Sequence, residues 1–186
     1  MAYEFKSEKY PGKTIGQIAL IDYCNLISIL EHRKGRNDLL TKHIEDVVSR
    51  LNNFIPKDNC SKPNCNNPAE YFPLDITVED VYNPYKGKHM PSPTNIYIGR
   101  EDIRCKNHIN SRDLANSRAS LYKIKFDTLE LFSKEPKRVI KEITEALLSF
   151  AGWNSGWKKS AEKCGNFIYD LPQKSMTQLS LFKHNL

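Results

Sequence analysis

The sequence predicts an α+β protein: a small antiparallel sheet with a structural zinc knuckle, an N-terminal hairpin-plus-helices module and a C-terminal amphipathic helix. The longest strand-like alternation lies in the middle of the chain, at residues 69–76, 95–98 and 121–127. Helical spacing of apolar residues falls on either side of it, over 15–51 and 140–151. Four soft metal ligands, Cys60, Cys65, Cys105 and His108, lie in two close pairs within the strand-rich stretch. At 186 residues the chain suits one domain with a real core or two small modules. It divides into residues 1–55, a zinc-containing body over 56–170, and a linker with a terminal tail over 171–186.

Tyr3 and Phe5 suggest a short strand, and Lys9 to Lys13 read as a turn, because Pro11 fixes one torsion and Gly12 permits the next. Thr14 is placed to cap a helix through Ile15, Ile18 and Ala19, and Asp22 to cap a second through Leu26, Ile27, Ile29 and Leu30. Gly35 ends that helix. Asn37 or Asp38 opens a longer one through Leu39, Leu40, Ile44, Val47, Val48 and Leu51, stopped by Pro56. Phe5, Lys9-Tyr10, Gly12-Lys13-Thr14 and the run Ile15 to Ala19 resemble the small C-terminal module of exodeoxyribonuclease X and related stand-alone bacterial proteins. Glu8 stands where that family usually has glycine, and Tyr23 to Leu26 replace its Tyr-Leu-x-Trp segment. The resemblance implies an accessory module without nuclease activity, with Lys9, Tyr10 and Lys13 as nucleic-acid contacts. From the residues alone, a structural turn with a packed tyrosine and solvated lysines is equally open.

Cys60 and Cys65 bracket a segment with Pro63 and Asn64, which favour a tight turn, and Cys105-Lys106-Asn107-His108 supplies the second pair. Four protein ligands leave no open position on a tetrahedral zinc ion, so the expected Zn2+ is structural. The alternative is buried free thiols beside a surface histidine. Cys24 and Cys164 fit no ligand spacing and are assigned to the core. An odd count of five cysteines, with no secretory signal at Met1 to Lys6, argues against a disulfide framework.

Between the ligand pairs, residues 83–93 read as a long proline-rich loop, with Tyr82, Tyr85, Lys86, Lys88 and His89 mixing aromatic and basic groups that suit bases and phosphates, although a solvent-exposed excursion without a partner has the same composition. Leu121 to Asp127 read as the third strand, with Lys123 and Lys125 on the solvent side. Ser133 is expected to cap the amphipathic helix, whose opposite side carries Lys134, Arg138 and Lys141. Trp153 and Trp157 are expected to cover the core, with stacking on a ligand as the other reading.

Gln178-Leu179-Ser180-Leu181-Phe182 resembles the peptide with which bacterial replication and repair proteins dock on the DNA sliding clamp, and all five positions match its preferred form. The resemblance implies that Leu181 and Phe182 fill an apolar pocket while Gln178 hydrogen-bonds the rim. Residues 172–177 read as the linker to it. A terminal apolar tail packed on the protein itself is the other reading.

Lys plus Arg number 28 against 22 Asp plus Glu, a net +6 compatible with a polyanionic partner such as DNA. The excess concentrates between Arg104 and Glu142, where ten basic residues face five acids. Lys123, Lys125, Arg138 and Lys141 are the candidate contacts there. No apolar run approaches the ~20 residues of a membrane-spanning helix, so a cytoplasmic protein is expected. No phosphate loop or acidic magnesium cluster is present in the sequence. The sequence therefore leans to a non-catalytic, clamp-docking, nucleic-acid-associated protein of replication or repair. Two alternatives stay open: a zinc-stabilised histidine nuclease using His89 and His108 with Asn95 or Asn116, and an inhibitor that fills the clamp groove without binding DNA.

Overall fold

The structure is a computed structural model that describes Phe5, residues 8–109 and residues 119–174. Each of the first three helices begins where a side chain can satisfy an orphan N–H. The Thr14 hydroxyl accepts from the Gln17 N–H and the Gln17 side chain accepts from the Thr14 N–H, a capping box that starts α1 (Ile15–Ile21). Asp22 closes α1 through its own N–H and caps α2 (Tyr23–His32) by accepting from the Asn25 N–H. Asp38 caps α3 (Leu39–Asn53), accepting from the Thr41 N–H at 2.9 Å. Phe5 lies outside any strand, but its N–H donates to the Lys13 carbonyl at 2.9 Å across the Lys9 to Lys13 turn. Tyr3 is outside the described residues.

The sheet is antiparallel, in the order β2-β1-β3, from β1 (Tyr71–Asn83), β2 (Lys88–Ile98) and β3 (Ser120–Lys123). The proline-rich stretch 83–93 is therefore no loop: only residues 84–87 turn, and the rest continues the two strands. Pro91 and Pro93 are compatible with β2 because it is an edge strand, where alternate N–H groups face away from β1 and a missing one there costs no ladder bond. β3 is shorter than its alternation implied. It ends at Lys123, and Phe126–Phe132 form a 3-10 turn that buries Phe126 and Leu129. Ser133 ends that turn instead of capping the next helix. α4 (Lys137–Phe150) starts directly after Pro136, which occupies the cap position and makes no side-chain cap bond. Lys134 consequently precedes the helix instead of sharing its face with Arg138 and Lys141.

A last helix, α5 (Ala161–Asp170), lies beyond the elements that the sequence predicts, and Ser160 caps it by accepting from the Lys163 N–H. It packs against α1 and α3, and Gly16 makes the approach close: a Cβ there would lie 3.3 Å from the Ile168 Cδ1. One buried cluster joins the N-terminal helices (Ile18, Leu26, Ile44, Leu51) to Phe72, Phe126, Ile143, Leu147 and Ile168. The division at residue 55 is thus not a division of the core. The segment read as a linker from 171 is anchored at its start: Leu171 is buried, the Ile55 N–H donates to the Pro172 carbonyl at 2.7 Å, and the Lys174 N–H to the Asn53 carbonyl at 2.8 Å. A polar link crosses the core boundary as well. The Tyr23 hydroxyl donates to Asp127 at 2.7 Å, the Asn52 side-chain amide also donates to that carboxylate, and the Asp127 N–H donates to Asn52 Oδ1 at 2.8 Å.

Two outcomes are expected. Gly16→Leu should destabilise by about 1–3 kcal/mol through overpacking of α1 against α5, measured by denaturant titration, whereas a neutral result would mean the two helices separate easily. The Arg33 guanidinium, with the Thr41 N–H, holds the Asp38 carboxyl down to about 2. A depressed carboxylate stabilises the fold above its unfolded value and stops doing so as pH falls through the folded one. The gap in thermal midpoint between wild type and Asp38→Ala should therefore be constant above about pH 4 and close between pH 4 and pH 2.

Candidate metal centre

Two backbone segments build the site. In the first, the Cys60 N–H donates to the Asn67 carbonyl at 2.9 Å and the Ala69 N–H to the Asp58 carbonyl at 3.0 Å, closing residues 58–69 into a compact loop. Within it the Cys65 N–H donates to the Lys62 carbonyl at 3.1 Å, and Asn64 takes a left-handed φ of 61°, which asparagine tolerates better than most residues. In the second, the His108 N–H donates to the Cys105 carbonyl at 3.0 Å, making one 3-10 turn over Lys106–His108. Residues three apart eclipse in such a turn, so the Cys105 and His108 side chains leave on one side.

The β1–β2 hairpin brings these segments together. They flank it in sequence, and its base returns the chain to its starting point. Tyr71 and Arg104 exchange two backbone hydrogen bonds at 2.9 Å, the Glu70 N–H donates to the Arg104 carbonyl at 2.7 Å, and the Ser61 N–H and hydroxyl both donate to the Ile103 carbonyl, at 3.0 and 2.8 Å. Gly99 allows the return, because a Cβ there would collide with the Pro73 ring where the Gly99 N–H bonds the Pro73 carbonyl at 2.9 Å. The Arg104 guanidinium spans the junction, donating to the Ser61 hydroxyl, to the Ile103 carbonyl at 3.1 Å and to Asp102 at 3.1 Å.

The result is a cluster in which the ligand atoms of Cys60, Cys65, Cys105 and His108 all lie within 4.8 Å of one another. His108 Nδ1 is 3.4 Å from both the Cys60 and the Cys105 sulfur, and the Cys65 and Cys105 sulfurs are 3.8 Å apart. A tetrahedral ion with metal–sulfur bonds of about 2.3 Å and metal–nitrogen bonds of about 2.0 Å requires edges of about 3.8 and 3.5 Å. The side chains thus stand close enough, and at the right spacing, to hold a metal ion. Cys60 and Cys105 are buried, while Cys65 and His108 are half-buried.

The electrostatics favour a thiolate at Cys60. Burial opposes the charge, but N–H groups of Lys62 and Cys105 and the His108 ring outweigh it and pull the thiol down to about 6. At Cys65 the Asn67 N–H favours the thiolate, while burial and the neighbouring sulfurs of Cys105 and Cys60 prevail and push the thiol up. Three sulfurs this close cannot all ionise without a compensating cation, and a bound metal ion supplies one.

The remaining site candidates lie elsewhere. Lys9 donates to Asp22 and Asn25, each at 3.2 Å, and the Tyr10 hydroxyl also donates to Asp22. Burial disfavours the Asp22 carboxylate, yet these donors keep its carboxyl below the ordinary value. Lys9 and Tyr10 therefore brace the N-terminal turn against α2, and Lys13 is half-buried beside them. Lys125 pairs with Asp127 at 3.2 Å and Arg138 with Glu142 at 3.0 Å, while Lys123 and Lys141 are exposed. Gln178, Leu179, Ser180, Leu181 and Phe182 are outside the described residues. Cys164 is fully buried and Cys24 half-buried, in keeping with core roles. Trp153 packs edge-on against Trp157 and Phe167, and only Trp157 is substantially exposed. Among the described residues no helix is long and apolar enough to cross a membrane. The struts at Ser61, Ile103 and Arg104 carry no sequence signal of their own; their role arises from pairing across the hairpin base.

Comparison with known protein families, with curated proteins and with solved structures finds no match.

Protein purified under reducing conditions should carry one metal ion per chain by elemental analysis. Cys105→Ser and His108→Ala should each lose it and lower the thermal midpoint, as should prolonged chelation of the wild type. Full metal content in the Cys105→Ser protein would rule the site out.

Proposed function

We propose that this chain is a non-catalytic, nucleic-acid-associated protein of replication or repair, stabilised by a structural zinc ion, that docks on the bacterial DNA sliding clamp through Gln178 to Phe182. The observation that carries the reading is the five-for-five match of that terminal run to the clamp-docking peptide. Its position supports it. Gln178 follows four residues after Lys174, the last described residue, whose N–H donates to the Asn53 carbonyl. The resemblance of the first 55 residues to an exodeoxyribonuclease X accessory module and the net charge of +6 support DNA as the second partner.

Zinc is the ion the donor set favours, since three thiolates and one imidazole in tetrahedral spacing match a structural zinc site. With four protein ligands the ion keeps no position for water, so its role is to hold the hairpin base and not to activate a nucleophile. Use of His108 as a ligand also removes it from the histidine-nuclease alternative. Tethering to the clamp raises the local concentration of a weak DNA binder, which suits a modest charge excess.

Fluorescence polarisation of the full chain against a purified bacterial sliding clamp tests the docking. Saturable binding is expected, weakened roughly thirtyfold or more in a Leu181→Ala, Phe182→Ala variant, the scale of losing one hot-spot contact. Equal binding by the variant, or none by the wild type, would remove the clamp from the proposal.

A further inference from the structure

The β1–β2 hairpin is longer than the metal centre needs. β3 covers β1 only from Tyr71 to Leu74, whereas the β1–β2 pairing continues through Val78 and Pro93 to Asn83 and Lys88. Among the described residues no other strand pairs with β1 beyond Leu74. By strand rise this leaves a two-stranded ribbon about 30 Å long, from Asp75 to Asn83. Two-stranded ribbons of this kind have little stability of their own, and this one is held at its base by the Tyr71–Arg104 bridge beside the Cys/His cluster and in its lower half by Ile76 and Ile96, which pack on the core, so that only its outer half stands clear.

Its tip is chemically distinct from its stem. The stem carries the acids Asp75 and Glu79; the tip carries Lys86 and Lys88, both exposed. Tyr85 is 97% exposed and Tyr82 55%, although nothing in the fold requires aromatic rings there. The turn that displays them is ordered: Asn83 Oδ1 accepts from the Tyr85 N–H at 3.0 Å and the Lys86 N–H at 3.2 Å. Tyr82 lies against its cross-strand partner His89, with ring centroids 5.4 Å apart, which limits the rotamers it samples.

We propose that this tip is a contact for unpaired nucleic acid, in which Tyr82 and Tyr85 stack on bases and Lys86 and Lys88 neutralise the flanking phosphates. Exposed aromatics interleaved with lysines are the chemistry by which proteins hold single strands without reading sequence. The sign change along the ribbon favours a single strand over a duplex groove: insertion along the length would bring Glu79 and Asp75 against phosphate walls, while a contact confined to the tip meets only the cationic end. A second copy of this chain is disfavoured as occupant, since Pro91 and Pro93 blunt the β2 edge against strand pairing. The inference rests on the nucleic-acid half of the proposed function and assigns that half a place on the molecule.

The test is the affinity of the full chain for a fluorescently labelled oligothymidylate and for a duplex of equal length, over a salt series. Two variants accompany the wild type: Tyr82→Ala with Tyr85→Ala, and Lys86→Gln with Lys88→Gln. The aromatic variant should bind the single strand about tenfold more weakly or worse. The lysine variant should bind more weakly too, with a log–log salt slope shallower by about 1.4, two phosphates at about 0.7 each. All four side chains are exposed, so thermal midpoints should stay at the wild-type value, and the two chemistries report independently. Wild-type binding that both variants retain unchanged would overturn the tip assignment and leave the nucleic-acid reading in place. Preference for duplex over single strand would overturn the stacking role. Absence of any binding by the wild type would overturn both the tip and the nucleic-acid reading.

Discussion

Three sulfurs and an imidazole within 4.8 Å of one another are the constraint on which the middle of this protein depends. Such a cluster is unfavourable as three thiolates and only weakly bonded as three thiols; a bound cation would turn it into a cross-link between residues 60–65 and 105–108. The cluster sits at the base of the β1–β2 hairpin, which is closed where Tyr71 and Arg104 pair and Ser61 holds the Ile103 carbonyl. The hairpin base in turn fixes Phe72 and Leu74, through which the sheet enters the core. Phe72 meets Phe150 of α4 at 5.5 Å between centroids, so the metal loop, the sheet and the amphipathic helix form one chain of contacts.

A second organising region is the meeting of the two chain ends. α5 packs on α1 through Gly16, and residues 172–174 bond to residues 53–55. The polar triad of Tyr23, Asn52 and Asp127 adds a directional link between α2, α3 and the 3-10 turn that follows β3. The N-terminal helices, which by sequence look like a separate module, are held by non-local contacts to residues more than a hundred positions away. The helices on both sides of the sheet therefore share one buried core.

The ribbon and the metal centre are related in the same way. A long two-stranded arm cannot be rigid unless its base is, and here the base is where the ligands lie. The sequence order makes this economical, since the two halves of the ligand set are the residues just before and just after the hairpin.

Much of this was legible in the chain itself. The capping residues Thr14, Asp22 and Asp38 act through bonds to neighbours three positions on, so local sequence determined the starts of α1, α2 and α3. The paired spacing of Cys60, Cys65, Cys105 and His108 likewise determined the ligand set, because each pair needs only one turn to converge. Other features were decided by tertiary structure. Pro91 and Pro93 read as loop residues until the strand carrying them is known to be an edge, and whether Ser133 or Pro136 precedes α4 depends on how the chain leaves the 3-10 turn that buries Phe126 and Leu129. α5 and the anchoring of Pro172 to Lys174 depend on the buried surface of α1 and on free carbonyl and N–H groups after α3. Local bonds can be read from spacing along the chain, whereas a surface or an edge becomes a partner only when distant segments have already come together.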